Sequence, residues 1–236
     1  MGKDGAQHLR GRMAEDDVTL FGKVKNKLID SKQKWAEEGR LLTGKTAAHS
    51  VRLPPGQRRV ETWPVLDLGV QPEIPTHAWR LFVDGAVEAP TTWKWGEFTD
   101  LPKTQLTTDI HCVTAWSRYD NRWEGVSARD LLALVKPKAD AKYVIFHSYD
   151  TYTTNVPLED FAAEDVLLAW SWNGEPIGRE HGGPLRVVIP KLYFWKSAKW
   201  IKRVEFSPID KPGFWEVRGY HNYGDPWLEQ RYDEET

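Results

Sequence analysis

Between Trp79 and Phe206 the chain is a succession of short apolar runs cut by turn residues, and this punctuation limits the fold more than any other feature. "WRLFVDGAV" alternates and turns at Asp84-Gly85, the pattern of a strand and a tight turn. "TTDIHCV" alternates again and runs into a loop at Cys112. "SARDLLALV" offers Ser127 as the N-cap of a short helix that Pro137 closes. "KYVIFHSYD" and "YTTNVPL" predict two strands, and "PLEDFAAED" a helical turn. "VLLAWSWNGEPI" is a strand reaching Asn173-Gly174, a strong hairpin signal. "LRVVIP" and "WIKRVEF" complete the strands. The Pro/Gly/aromatic-rich tail "KPGFWEVRGYHNYGDPWLEQRY" is expected to wrap the surface. Strands and helices do not alternate, which favours an α+β domain over a doubly wound parallel sheet.

Residues 1–49 have a different texture, charged and weakly patterned. Leu20, Val24, Leu28 and Trp35 fall roughly on one face, so one or two amphipathic helices are expected between Val18 and Leu42. Pro54, Pro55 and Gly56 then start an extended segment. The expected organisation is a charged, partly helical arm over 1–49 and one domain over 50–236. A chain of 236 residues can bury a sizeable core, and its single Cys excludes an internal disulfide framework. A formal charge of -2 argues against nucleic acid or anionic membrane as the main partner. Residues 1–30 show no apolar run and no small-residue cleavage site, so the expectation is a cytoplasmic protein without export signal or membrane anchor.

Three stretches carry chemistry. The first holds Cys112, for which a buried inert thiol is the commonest fate. A nucleophile would need a base, and His49, His111, His147 and His181 are the histidines that folding could bring near. His111 is badly placed for that, because neighbours on a strand point to opposite faces. Zinc lacks its usual ligand spacing. As a thiolate, Cys112 could instead be one soft ligand to a metal whose other donors come from a cofactor. The second stretch, "EHGGPLRVVIPKLYFWKSAKW", gathers Arg186, Lys191, Lys196 and Lys199 behind Gly182 and Gly183, which permit close backbone approach. Arg offers a fork and Lys a point charge for a phosphate. "KSAK" could open a helix whose first N–H groups, with Ser197, would cradle an anion. A solvated basic sheet edge is the plainer alternative, but Tyr193, Phe194, Trp195 and Trp200 interleave these bases. In the third stretch His147, Ser148 and Asn155 flank an apolar strand, as sheet-end hydrogen bonders or as the lining of a pocket. The 13 Trp are met either by a core built on Trp or by stacking on a flat ring or sugar.

Taken together, "HCVTAWS", "AKYVIFHS" and "HGGPLRVVIPKLYFWKSAKWI" resemble the molybdopterin-binding domain of the sulfite oxidase family. The likeness is greatest to bacterial sulfite oxidase-like oxidoreductases, which share "RLPPGQ", "WPVL" and "PGFWE..GYHNYGDPW", and it runs in order over roughly residues 50–232. The resemblance implies a mixed-sheet fold of the sulfite oxidase type and one mononuclear molybdenum cofactor. It implies two-electron oxo transfer, coupled to water, on a small substrate such as sulfite or an S-oxide. Cys112 matches the thiolate ligand to molybdenum, the metal's other sulfurs coming from the dithiolene of the molybdopterin. Arg186, Ser197, Ala198 and Lys199 match the contacts to the cofactor's phosphate. His181 matches a polar contact to the pterin, and Ser148 a family hydroxyl residue. Thr62, Trp63, Val65 and Leu66 match the segment that covers the pterin. His111 and Arg118 flank the cysteine and are expected to orient substrate or relay a proton, His111 the more so because it titrates near neutrality. The sulfite-binding arginines of the family have no counterparts at Glu61, Thr62 and Trp63 or at Val113, Thr114, Ala115 and Trp116. The residues after Phe206 are too few for the family's immunoglobulin-like dimerisation domain, and no heme domain is expected. Electrons would then pass to a separate electron-transfer partner. A Cys112/His thiol hydrolase and a non-enzymatic ring-binding module are the alternatives, which analysis for molybdenum separates.

Overall fold

Uninterrupted alternation becomes strand almost everywhere it occurs in this chain. The structure is a computed structural model that describes residues 52–233 and, before them, Asp30 alone. The helices expected between Val18 and Leu42, and His49, lie outside the described residues, Asp30 excepted. In chain order the strands are β1 (Arg58–Arg59), β2 (Arg80–Gly85), β3 (Thr91–Lys94), β4 (Thr104–Cys112), β5 (Trp116–Ser127), β6 (Tyr143–Ser148), β7 (Thr153–Pro157), β8 (Leu167–Trp172), β9 (Glu175–Pro176), β10 (Arg186–Val188) and β11 (Ile201–Ser207). Short helices α1 (Trp95–Thr99), α2 (Ala128–Val135) and α3 (Leu158–Phe161) join them. None of the described helices is long and apolar enough to cross a membrane.

Two mixed sheets result, as an α+β reading requires. One has the order β3-β2-β11-β6-β7, with β11 parallel to β2 and antiparallel to β6. The other has the order β1-β5-β8-β10, with β4 also paired to β5 and β9 to β8. β1 runs parallel to the first residues of β5, while β4 and β8 run antiparallel to it. Local chemistry sets the joints. Asn173 and Gly174 adopt φ of 53 and 90, the left-handed pair that a tight β8–β9 hairpin needs. The Asp130 N–H donates to Ser127 Oγ at 3.0 Å and caps α2, which Lys136 ends at φ 51.

The core divides in two. Leu81, Phe146, Phe161, Leu168, Val187 and Phe206 belong to the larger cluster. The second gathers Cys112 with Trp63, Trp116, Tyr193, Trp195, Trp215 and Tyr220. Trp79 and Trp123 are fully enclosed, so part of the Trp excess is ordinary core.

One long strand was not foreseen, and one expectation needs correction. β5 is the longest strand described, yet its sequence shows no clean alternation. Asp120 sits at φ 55, and Asn121 is buried because its Nδ2 donates to Thr108 O and Arg118 O. Gly125 is pressed so closely on β8 that a Cβ there would lie 2.0 Å from Leu168 O. Polar and glycine residues thus hold strand positions for reasons that only the neighbouring strands supply. The tail does not merely wrap the surface either, since Trp215, Tyr220 and Arg231 are buried against the second cluster.

Candidate functional site

The β4–β5 hairpin places Cys112 at the last position of β4, where the chain turns through Ala115 at φ 63. The Ala115 N–H closes this turn on Cys112 O at 3.1 Å. The thiol is 6% exposed, and its Sγ lies 3.2 Å from Thr114 Oγ1. It faces a cavity of about 210 Å³. Trp116, Trp195, Trp215 and Tyr220 supply much of the wall around it. Trp195 is held by an Nε1–H bond of 2.9 Å to Glu216 Oε1, and Glu216 by a buried ion pair of 2.6 Å with Lys196.

The loop between β10 and β11 enters the same cavity with Ser197, Ala198 and Lys199. Arg186, at the start of β10, is 1% exposed and has no carboxylate partner among the described residues. Its Nη1 donates to His181 O at 2.7 Å and its Nη2 to Ser197 O at 2.8 Å, while Phe194 stacks 4.1 Å from the guanidinium. Burial lowers its pKa to about 9, which still leaves it charged at neutrality. Lys199 Nζ bonds Leu66 O at 2.8 Å and Glu180 O at 2.7 Å, tying the 63–68 segment over this end of the cavity. Trp63 in that segment stacks on His181, ring centroids 3.9 Å apart. Burial first, and the Arg186 charge second, push His181 down to about 4, so it is neutral at pH 7. Gly182 at φ 106 lets the chain pass Lys199, whose Cβ would be 2.8 Å from an added methyl.

Nine of the eleven residues that the resemblance assigns to the metal or its cofactor line this one cavity. They are Cys112, Trp63, Leu66, Ser148, His181, Arg186, Ser197, Ala198 and Lys199. Others fall elsewhere. Thr62 and Val65 are exposed and outside the lining. His111 is outside it too, with Nδ1 2.8 Å from Ser117 Oγ and its ring 6.2 Å from Trp227; burial lowers its pKa to about 4. Arg118 donates to Glu61 O and Asn121 Oδ1 and stacks on Trp172. His111 points away from the cavity because adjacent residues on a strand face opposite sides of the sheet, whereas Arg118, paired with Ile110 one step farther from the turn, is engaged by Glu61 O, Asn121 and Trp172. Lys191 pairs with Asp160 and Lys196 with Glu216, so both are structural. The helix start that "KSAK" could have offered does not form, and this stretch is an irregular loop. Ser197 Oγ accepts the Ile189 N–H at 2.9 Å. Composition gave no hint that Gln57, Arg231, Trp215 and Tyr220 gather around the Cys112 turn; the resembling blocks marked the stretches of Gln57, Trp215 and Tyr220, and Arg231 lies just past the last of them.

The residues fit a metal cofactor with an anionic arm. Arg186 is a buried cation paired with no acid among the described residues, and Ser148 Oγ is buried without a partner among them on the cavity wall. The described residues hold no group of three or more His, Cys, Asp or Glu arranged for a metal, whereas the cavity offers one soft thiol.

A family model, the oxidoreductase molybdopterin binding domain, matches residues 68–215. An oxidoreductase of Bacillus subtilis, YuiH, is 47% identical over 195 residues, 81% of this chain and 98% of that protein. The methionine-sulfoxide reductase catalytic subunit MsrP of Ralstonia nicotianae is 27% identical, over 63% of this chain and 49% of its own. Sulfite oxidase of Gallus gallus is 28% identical, over 64% of this chain and 40% of its own. The chain thus spans nearly all of the first relative and about half or less of the other two. Among solved structures, the sulfane dehydrogenase SoxCD of Paracoccus pantotrophus shares the fold, with a TM-score of 0.54 at 23% identity over 59% of this chain and 40% of that one.

Proposed function

The chain belongs to the family of molybdopterin-binding oxidoreductases, and on that footing we propose that it carries out two-electron oxo transfer on a small sulfur compound, with Cys112 as the protein ligand to molybdenum. One observation carries this reading: a single cavity holds both the only thiol of the chain and a buried guanidinium that has no carboxylate partner among the described residues. A soft donor suits molybdenum, and a desolvated fork suits the phosphate of its pterin.

When bound, molybdenum supplies a two-electron redox centre able to exchange an oxygen atom. The chain's own residues supply the remainder. Cys112 Sγ would be the single protein donor. Arg186 and Lys199, with the 197–199 backbone, would hold the phosphate, and Ser148, His181 and Trp63 would face the pterin. Trp116, Trp195, Trp215 and Tyr220 would keep bulk water from the reacting atoms and present flat apolar faces to the substrate.

The lining favours a neutral substrate. Its Lys and Arg residues are Arg186 and Lys199, both assigned here to the cofactor, and Arg118 is outside it. A dianion such as sulfite would lie among aromatic walls without its own counter-charge, which is costly. An S-oxide carries its dipole without net charge and suits these walls better. Electrons would be exchanged with a separate protein, and the cytoplasm is the proposed setting. Turnover of the holoenzyme on a dialkyl sulfoxide with a reduced viologen dye should exceed its turnover on sulfite with ferricyanide. Faster sulfite oxidation would reverse the substrate assignment, and no turnover on either would leave the oxo-transfer reading without support.

A further inference from the structure

The turn that carries Cys112 is held from outside by segments far away in the chain. Cys112 O accepts Gln57 Nε2 at 3.0 Å as well as the Ala115 N–H. Ala115 O accepts the Arg58 N–H at 3.0 Å. Val113 O accepts Arg231 Nη1 at 2.7 Å, and Arg231 Nη2 reaches Pro55 O at 3.3 Å. Arg231 is 3% exposed, lies 5.0 Å over the Tyr193 ring, and has its nearest carboxylate, Glu229, at 3.9 Å. Gly56, at φ 66, leaves room for it, since an added Cβ would stand 3.1 Å from Nη2. A buried guanidinium whose two Nη groups each donate to a backbone carbonyl of a different segment, at 2.7 and 3.3 Å, and only distantly meets an acid is acting as a bracket. A lysine has no rigid fork with which to span both.

We propose that Arg231 is a positioning residue for Cys112. Carried by the tail, it joins the Cys112 turn to the Pro54–Gln57 segment and fixes the direction in which the thiol sulfur enters the cavity. The turn needs such a bracket because Ala115 is held at φ 63, a conformation that its own side chain does not favour. The same tail closes the cavity wall with Trp215 and Tyr220, so its docking and the aim of Cys112 are one event. The proposal rests on Cys112 being the metal ligand.

Two readouts test it, neither of them activity. In cofactor-free protein, Arg231→Met should raise the rate of Cys112 alkylation by iodoacetamide about tenfold or more, the factor expected when one charge-assisted bond no longer opposes local opening. In holoprotein, Arg231→Met should retain molybdenum and pterin yet show a shifted and broadened visible absorption. Arg231→Lys should fall between the two on both measures. Should Arg231→Met not fold, Arg231→Lys carries the test on the same readouts. Cys112→Ser separates the failures. If it abolishes the visible band while the Arg231 variants change neither alkylation nor spectrum, the bracket is wrong and the ligand stands. If Cys112→Ser leaves the band intact, the ligand assignment falls, and the bracket falls with it.

Discussion

Burying a guanidinium without a carboxylate beside it is costly, and Arg186 is such a group. Its fork to His181 O and Ser197 O offsets part of that cost, and an anion in the cavity would offset more. This gives Arg186→Ala a clear expectation. Charge-assisted bonds to an anion contribute about 1.5–3 kcal/mol each, so the variant should lose cofactor roughly tenfold or more faster than wild type. Lys138→Ala is the control, because Lys138 is exposed in the loop after α2. Equal molybdenum content in both variants would remove Arg186 from the cofactor site. At this scale the sequence was legible where a residue belonged to a resembling block, as Cys112, Arg186 and Lys199 did. It misled where adjacency stood in for space. His111 and Arg118 flank Cys112 along the chain, but the β-strand pleat turns His111 away, and Arg118, paired with Ile110, is engaged by Glu61 O, Asn121 and Trp172 outside the cavity lining.

Elements built on alternation or on a turn residue were readable in advance. Ser127 caps α2, and Asn173-Gly174 makes the β8–β9 hairpin, each by chemistry contained in a few residues. β5 was not readable, because Asn121 and Gly125 earn their places from β4 and β8, which no local window includes. Two glycines separate these cases by experiment. Gly174 has φ 90 and nothing within 4 Å of an added Cβ, so Gly174→Ala should cost only the left-handed backbone term, about 1–2 kcal/mol in urea unfolding, with cofactor content unchanged. At Gly183 an added Cβ would lie 2.0 Å from Ile177 O, a clash with backbone. Gly183→Ala should therefore displace the segment leading to Arg186 and lower cofactor content as well as stability. Equal behaviour of the two variants would show that the 178–186 loop does not shape the cavity.

For the molecule as a whole, three regions distant in sequence close one chamber: the Pro54–Leu68 segment, the two sheets, and the tail from Phe214 to Tyr232. The mixed α+β class followed from the order of strands, and the expected cofactor family from the blocks. How the chamber closes did not follow, because Pro, Gly and aromatic residues are equally common in surface loops and in segments that pack by shape. The tail's burial depends on Arg231 meeting Val113, more than a hundred residues earlier, and on Trp215 and Tyr220 joining the cluster that holds Cys112 and Trp116. The central claim is that the thiol in this chamber is the protein's ligand to molybdenum. Its most direct test is the visible spectrum and molybdenum content of Cys112→Ser beside wild type, both from a host that makes the cofactor. A hydroxyl is a harder and less acidic donor than a thiol, whereas the pterin would remain anchored through Arg186 and Lys199. The expected result is a variant that keeps much of its pterin and some molybdenum but loses the wild-type visible absorption and most turnover. An unaltered spectrum with full activity in Cys112→Ser, or wild-type protein that binds no molybdenum, would contradict the claim.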